Sequence, residues 1–577
     1  MKKHLWAIII LAILAAGLIA IQFRQPLALN FDGGYNAANT DALMHFHKFP
    51  LSGSPILPFA LSAFFGLIAG SASAGVKLAS TLSLVAVGVM IYAFIRKITN
   101  DTTASIAALL GWCVTLGVFT FIAGYLKQTV ALPFVVGGLM ALWFAISEKK
   151  WFWWVLWGVG LVGSYLCHTP SVMVFMVASV FVASVMFWMD GGKREKTIAI
   201  ILWVGIGIGL LSIPWSVPFL SKYVPQLSLG GWRTIFIYIK GLFSYRYQMT
   251  TDFTWWTVPV LLAPVAGLVL VWFKNRKLAL WFFAFSAAVM LISLFAVKYE
   301  WQGRNVMTFL VPIAMLTGLA CWYGAAWLAK YKRPRIVVSI LLAATILFMA
   351  GWPATVVKYV KDAKPIITTS QLDDLGRFLG KDGVGNKYLP NLYARHGLRF
   401  WATYATKQYV GVFFYDWDRK TIGIRQSRSG EDLGPSHTPE PGEFILVSKK
   451  AVSQWATTQC NGEKLKAFIP ARTQEYLGVT VDSVDRLDGV WLSLRDRDWN
   501  LLKKATFNGV TYGRSTIGML LTGIPKGEYF VQVGWKDHTL APAKTTIEEN
   551  YLSYAQTDFV MRAQSEEYLI IEAKEVK

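Results

Sequence analysis

Residues 54–72 read SPILPFALSAFFGLIAGSA, and the sidedness of everything after them depends on whether this apolar run crosses a membrane or lies along its surface. Charge separates the two readings. With 55–70 at the outer interface and a second span from Ala74 to Ile95, five basic clusters share one side. They are Arg96-Lys97, Lys149-Lys150, Lys193-Arg194-Lys196, Lys274 to Lys277 and Lys330 to Arg335. With the run as a span, all five move outside, against the tendency of basic loops to stay cytoplasmic. Pro55 and Pro58 favour the interfacial reading further.

Upstream, Met1-Lys-Lys-His precedes an apolar run from Leu5 to about Gln22 with no convincing small-residue cleavage frame, which predicts a retained signal anchor with a cytoplasmic N-terminus. Downstream, apolar runs suited to a layer about 30 Å thick fall near 102–123, 128–146, 151–167, 171–189, 197–219, 257–273, 278–297, 306–329 and 336–353. The expected total is about 11 spans, an odd number, which places everything after Pro353 outside together with the loop from Asn30 to Pro50. The predicted location is the plasma (cytoplasmic) membrane. Trp151, Trp153, Trp154 and Trp157 sit where an interfacial aromatic belt is expected.

Composition agrees: 54% of the 577 residues are hydrophobic and 25 are tryptophan, with a mean hydropathy of +0.43. The formal charge of +22 is unevenly spread. Residues 1–353 carry 26 Lys+Arg against 8 Asp+Glu, and the remainder 30 against 26. The excess belongs to membrane loops, so no nucleic-acid partner is expected. The four cysteines show no spacing that suggests a disulfide framework or zinc site.

Beyond Pro353 the chain reads as soluble. Short strand-type runs, such as Tyr409 to Tyr415, Phe444 to Val447 and Tyr529 to Val533, alternate with helical patches near Leu372 to Leu379 and Ala451 to Thr458. The expected division is a transmembrane domain over 1–353, a mixed α/β subdomain over 354–497 and a β-sandwich-like subdomain over 498–577, both of the latter extracytoplasmic.

Of the eight acids in the membrane part, Asp101, Glu148, Asp190 and Glu195 fall beside basic loops, where charge pairing explains them. Asp32, Asp41, Asp252 and Glu300 fall outside. None lies in the middle of a span, which weakens an ion-coupled transporter reading. Asp32 sits in Phe-Asp-Gly-Gly-Tyr, where the glycines permit a close backbone that would hold the carboxylate against a substrate. The competing reading is a side chain that caps the helix beginning near Tyr35. Asp41 and His45 are spaced i, i+4 and share a helix face, either as a hydrogen-bonded pair or as part of a site for a divalent cation, Mg or Mn.

Tyr299-Glu-Trp-Gln-Gly-Arg304 leads into a span interrupted by Pro312, so Arg304 at its mouth would either clamp a phosphate or snorkel to the interface. Lys127, Gln128 and His168 also face outward in this topology. The long loop 220–256, with Arg233 and Arg246 among aromatic residues, suits anionic head groups or plain interfacial anchoring.

An acidic first outer loop, a Pro-containing interfacial helix, a Gly-Arg pair near the last spans and an outer C-terminal domain together resemble the GT-C class of integral-membrane glycosyltransferases. This class includes oligosaccharyltransferase catalytic subunits, protein O-mannosyltransferases and aminoarabinose transferases. Phe31-Asp32-Gly-Gly-Tyr35-Asn36 is similar to the Phe-Asp-Pro-aromatic-aromatic-Asn/His segment of oligosaccharyltransferases, with Gly33 replacing proline. The Trp-Trp-Asp-Tyr-Gly motif that reads asparagine acceptors is absent, and Tyr415-Asp-Trp-Asp418 does not replace it.

The resemblance implies a polyprenyl-phosphate sugar donor bound among membrane lipid, with its phosphate near Arg304, and a glycan, lipid or protein hydroxyl as acceptor. Asp32 would be the general base, and Arg304 with Lys127 or a divalent ion would offset charge on the leaving phosphate. Asp41 and Glu300 would position the acceptor or bind a metal ion. Two rivals carry different expectations. An O-antigen-ligase-like transferase with a diphosphate-linked donor would rest on Arg233, Arg246 or His168. A non-enzymatic glycan-lipid transporter or binding protein would make Asp32 dispensable.

Overall fold

The structure is a computed structural model. It describes the chain outside residues 1–3, 30–31, 46–54, 115–124, 221–257, 296–298, 329–334, 350–363, 417–420, 426, 430–431, 434–436, 450–456, 511–512, 549, 556–557 and 575–577. The chain forms two compact units. One comprises Met1–Arg24, Pro55–Gly70 and Ala74–Ala363; the other comprises Gln25–Ser54, Ser71–Ser73 and Lys364–Lys577.

The first unit is helical. Its elements are α1 (Leu5–Phe23), α3 (Leu57–Ala69), α4 (Ala72–Thr99, starting in the second unit), α5 (Thr102–Val114), α6 (Leu126–Glu148), α7 (Trp151–Cys167) and α8 (Thr169–Asp190). They continue with α9 (Lys193–Leu220), α10 (Val258–Lys274), α11 (Arg276–Phe295), α12 (Tyr299–Leu328) and α13 (Arg335–Met349). The intervening α2 (Gly33–Met44) belongs to the second unit. Among the described residues five helices are long and apolar enough to cross a bilayer: α1, α4, α6, α8 and the part of α12 from Thr308 to Leu328. The 13 residues of α3 span about 20 Å, short of the hydrocarbon thickness. That length suits the interfacial reading of residues 55–70.

Helices approach closely where glycines face backbone. A Cβ on Gly111 of α5 would stand 2.1 Å from the Ala314 carbonyl oxygen of α12, and one on Gly318 of α12 would stand 2.0 Å from the Ala107 oxygen of α5. In hydrocarbon such contact, rather than water exclusion, holds helices together. Three of the four acids beside basic loops, Glu148, Asp190 and Asp101, have polar partners. Glu148 meets Lys97 at 2.5 Å and Lys150 at 3.4 Å, and Asp190 pairs with Lys277. Asp101 caps α5 through the Thr103 amide at 2.8 Å and accepts from the Trp322 indole at 3.1 Å.

The second unit is dominated by strands: β1 (Leu392–Arg395), β2 (Gly411–Asp416), β3 (Thr421–Arg425), β4 (Phe444–Ser448), β5 (Thr457–Asn461), β6 (Leu465–Pro470), β7 (Arg472–Thr473) and β8 (Tyr476–Ser483). Then come β9 (Val490–Arg495), β10 (Leu501–Phe507), β11 (Gly513–Leu520), β12 (Gly527–Trp535), β13 (Ala543–Ile547), β14 (Phe559–Gln564) and β15 (Tyr568–Ala573). One sheet runs β14-β15-β4-β1-β2-β3, a second β11-β8-β6-β5 and a third β10-β9-β12-β13-β7. The inner residues of the second and third sheets, among them Ile469, Val479, Leu492 and Val531, form one core.

The sheets do not divide at residue 497. The last hairpin, β14 with β15, returns to pair with β4 in the first sheet, at Tyr568 with Ser448 and Ile571 with Ile445. The sandwich instead draws its strands from 457–547. Fully buried Ile445, Leu569 and Ile571 give the hairpin its reason to return. Residues Gln25–Ser54, from the first loop, group with the C-terminal part in the second unit.

β1 pairs in parallel with both β2 and β4. Parallel neighbours need a crossover, and α15 (His396–Thr406) supplies it between β1 and β2, with α14 (Thr369–Leu379) earlier in the chain. Thr368 and Gln371 form a reciprocal capping box that starts α14.

Because backbone oxygen fills the space beside it, Gly318→Val should destabilise the purified protein by about 1–3 kcal/mol or more, read as a lowered midpoint of thermal unfolding in detergent. Gly17→Val, whose Cβ would meet nothing within 4 Å, should leave the midpoint unchanged. Equal midpoints would contradict the close α5–α12 packing.

Candidate active site

The two carboxylates singled out in the sequence lie on α2, at its start and near its end, and their environments differ. Asp32 stands at the N-cap position, and its carbonyl accepts from the Asn36 amide at 2.8 Å. Its side chain makes no capping bond, so the helix-capping explanation for this residue is not the one adopted. The carboxylate is 38% exposed, and among the described residues its ionic neighbour is His396, with Nε2 at 3.9 Å.

Glycines seat the first turn of α2. A Cβ on Gly33 would lie 2.4 Å from the Ala28 carbonyl oxygen, and one on Gly34 would touch the Trp401 indole at 3.0 Å. Side chains of Tyr35 and Phe400 then meet edge to face at 5.1 Å between ring centres. Helix α2 therefore rests on α15, the crossover helix of the first sheet.

At the other end Asp41 is nearly buried, its side chain 10% exposed. A buried carboxylate needs a partner, and Lys407 reaches it from the end of α15 with Nζ at 2.6 Å. Lys407 occupies the C-cap of α15 with φ +58, a left-handed conformation uncommon outside glycine. Its ammonium also lies 4.3 Å from the Tyr404 ring centre. Burial raises the Tyr404 phenol above its ordinary pKa, and the Asp41 charge adds to that. His45 approaches Asp41 with Nδ1 at 3.4 Å, which is the i, i+4 pair expected from the sequence.

Arg399 lies between these ends on α15. It is buried and donates to the Tyr409 hydroxyl at 2.9 Å. Burial lowers its pKa from the ordinary value, while Tyr409, Tyr35 and Asp32 favour its charged form. The Nε of Arg399 and the indole nitrogen of Trp401 are buried without a hydrogen-bond partner among the described residues. The site thus contains one accessible carboxylate, one neutralised carboxylate and a buried guanidinium.

An ammonium occupies one oxygen of Asp41 and an imidazole faces the other, and among the described residues no group of three or more His, Cys, Asp or Glu side chains is arranged to hold a metal.

Candidates in the helical unit are placed separately. Gln128 at the start of α6 donates to Thr308 Oγ1 of α12 at 3.3 Å, beside Lys127 in sequence. Arg304 and Glu300 lie in the first turns of α12, with Arg304 one turn before Thr308; their side chains lie outside the described set. His168 is buried between α7 and α8, its Nδ1 2.8 Å from Ser171 Oγ. Arg233 and Arg246 lie outside the described residues.

Sequence reading missed His396, Arg399, Tyr404, Lys407 and Tyr409. A signal was present: Arg395-His-Gly-Leu-Arg-Phe-Trp-Ala-Thr-Tyr-Ala-Thr-Lys407 is a helical, cationic and aromatic run among β-type sequence.

Residues 53–217 match the family model described as dolichyl-phosphate-mannose-protein mannosyltransferase. Among solved structures, ArnT from Cupriavidus metallidurans bound to undecaprenyl phosphate shares 12% sequence identity, over 71% of this chain and 86% of that one, with a TM-score of 0.42. That superposition is too loose to bear on the site. No curated protein matches the chain.

Removing Lys407 strands a nearly buried carboxylate. Lys407→Ala should therefore cost about 1–3 kcal/mol, and Asp41→Asn in the same protein should recover part of the loss. In a double-mutant cycle read by thermal unfolding, the coupling should exceed about 0.5 kcal/mol. Strictly additive losses would show that the two residues do not form the pair.

Proposed function

Because the chain belongs to the GT-C superfamily of membrane glycosyltransferases, we propose that it transfers a sugar from a polyprenyl-phosphate donor to a hydroxyl of an extracytoplasmic glycan, lipid or protein, with Asp32 as general base. The matching family's description names dolichyl phosphate mannose, which supports a lipid monophosphate as carrier. The observation that carries the assignment of the base is the state of Asp32: a half-exposed carboxylate at the head of a helix it does not cap.

In this mechanism Asp32 takes the proton of the acceptor hydroxyl as its oxygen bonds to the anomeric carbon. The bond from that carbon to the phosphate oxygen breaks, and the carrier departs as polyprenyl phosphate with the bonding electrons. One displacement inverts the anomeric centre. Arg304, assigned by its place in the sequence, would stabilise the growing phosphate charge through its planar donor fork. Glu300, Lys127 and Gln128 would contact donor or acceptor.

Asp41 has a different role. Held by Lys407, it positions α2 and hence Asp32, and it is not itself a base. His396, near Asp32, would contact the acceptor. The diphosphate-donor alternative draws on His168, whose imidazole is engaged with Ser171, and no observation favours it.

The orientation proposed is multi-pass, with a cytoplasmic N-terminus and an extracytoplasmic second unit. It follows from the basic clusters.

In native membranes supplied with labelled polyprenyl-phosphate sugars, Asp32→Asn should lower transfer about 100- to 10,000-fold with donor binding retained. Asp41→Asn should lose less, through stability or alignment. Full-rate transfer by Asp32→Asn would remove Asp32 from the mechanism, and donor transport without glycoside formation would favour a transporter.

A further inference from the structure

A groove of about 500 Å³ opens on the helical unit between α4, α6 and α7, away from every residue assigned above to catalysis. Its walls are almost entirely hydrocarbon, with Phe94, Phe134, Met140, Phe144, Leu156 and Val159 among them. Gly137 of α6 keeps it open: a Cβ there would stand 3.0 Å from the Met90 sulfur. Leu156 and Val159 remain exposed along its mouth. On a membrane-spanning bundle that mouth faces lipid chains.

One end of the groove is cationic. Lys97 lines it, with its ammonium 4.0 Å from the Phe144 ring centre and 4.4 Å from that of Trp153. Glu148 accepts from Lys97 at 2.5 Å and also pairs with Lys150 at 3.4 Å. Arg96 and Lys149 adjoin these residues in sequence. Two cations thus meet one carboxylate, with two more beside them in sequence, leaving positive charge where the apolar groove reaches the end of the bundle. A chain-shaped apolar slot with a basic head describes a lipid that carries negative charge next to its chains. A zwitterionic lipid would fill the slot without using the excess charge.

We propose that this groove binds an anionic phospholipid of the leaflet at that end, with one acyl chain between α4, α6 and α7 and its phosphate on Lys97 and Lys150. The bound lipid would link the α4 end to the α6–α7 turn through Lys97 and Lys150. The proposal is independent of the transferase reading, since it concerns neither Asp32 nor the donor.

Native mass spectrometry of the delipidated full chain in detergent, titrated with phosphatidylglycerol, phosphatidylcholine or undecaprenyl phosphate, tests it. One phosphatidylglycerol should be retained with at least about tenfold preference over phosphatidylcholine. Lys97→Gln should abolish the preference. Ala93→Trp, which fills the exposed wall of the groove and leaves every charge in place, should lose the bound lipid altogether. Equal retention of both phospholipids, or retention unchanged in Ala93→Trp, would overturn the proposal. Displacement of phosphatidylglycerol by equimolar undecaprenyl phosphate would reassign the groove to the carrier, and a dimer lost in Ala93→Trp would reassign it to a second copy of the chain.

Discussion

A carboxylate nearly out of water must find a cation or give up its charge, and the second unit is organised around that constraint. Asp41 is that carboxylate, and Lys407, 366 residues later, answers it. To do so the end of α15 turns into a left-handed conformation that directs the lysine back toward α2. The aromatic contacts of Tyr35 with Phe400 and of Gly34 with Trp401 then align the two helices. A loop that could have been a mere connection between apolar segments becomes a docked element of a folded domain.

This division of labour separates two carboxylates that look equivalent in sequence. One oxygen of Asp41 is occupied by the Lys407 ammonium, and its carboxylate is nearly buried. Asp32, at the other end of the same helix, is half exposed and its side chain makes no capping bond to that helix. The crossover helix α15 carries both partners, His396 at its first residue and Lys407 just past its last. Since α15 joins parallel strands of a closely packed sheet, its position is set by that core and not by the loop it receives.

Helices in the apolar stretches were legible from hydropathy and charge, because spans are local: their length and composition are written in consecutive residues. The interfacial reading of 55–70 drew on the same kind of information, and a 13-residue α3 suits it. Strand grouping was less legible. The terminal hairpin joins the first sheet through Ile445 and Ile571, a pairing across more than a hundred residues that leaves no periodic trace. The site was half legible for the same reason. Asp32, Asp41 and His45 share one short loop, whereas Lys407 and Arg399 become partners only when α15 folds onto α2. A cationic, aromatic helix in a β-rich region was the available clue.

If Asp32 deprotonates an acceptor that attacks the anomeric carbon directly, the transfer proceeds in one displacement. The most direct measurement is the anomeric configuration of the transferred sugar, determined by proton NMR of the first-formed product from a donor of known configuration. Direct attack gives inversion, with the product carrying the configuration opposite to that of the polyprenyl-phosphate donor. Retention would require a covalent or front-face route and would contradict the role assigned to Asp32.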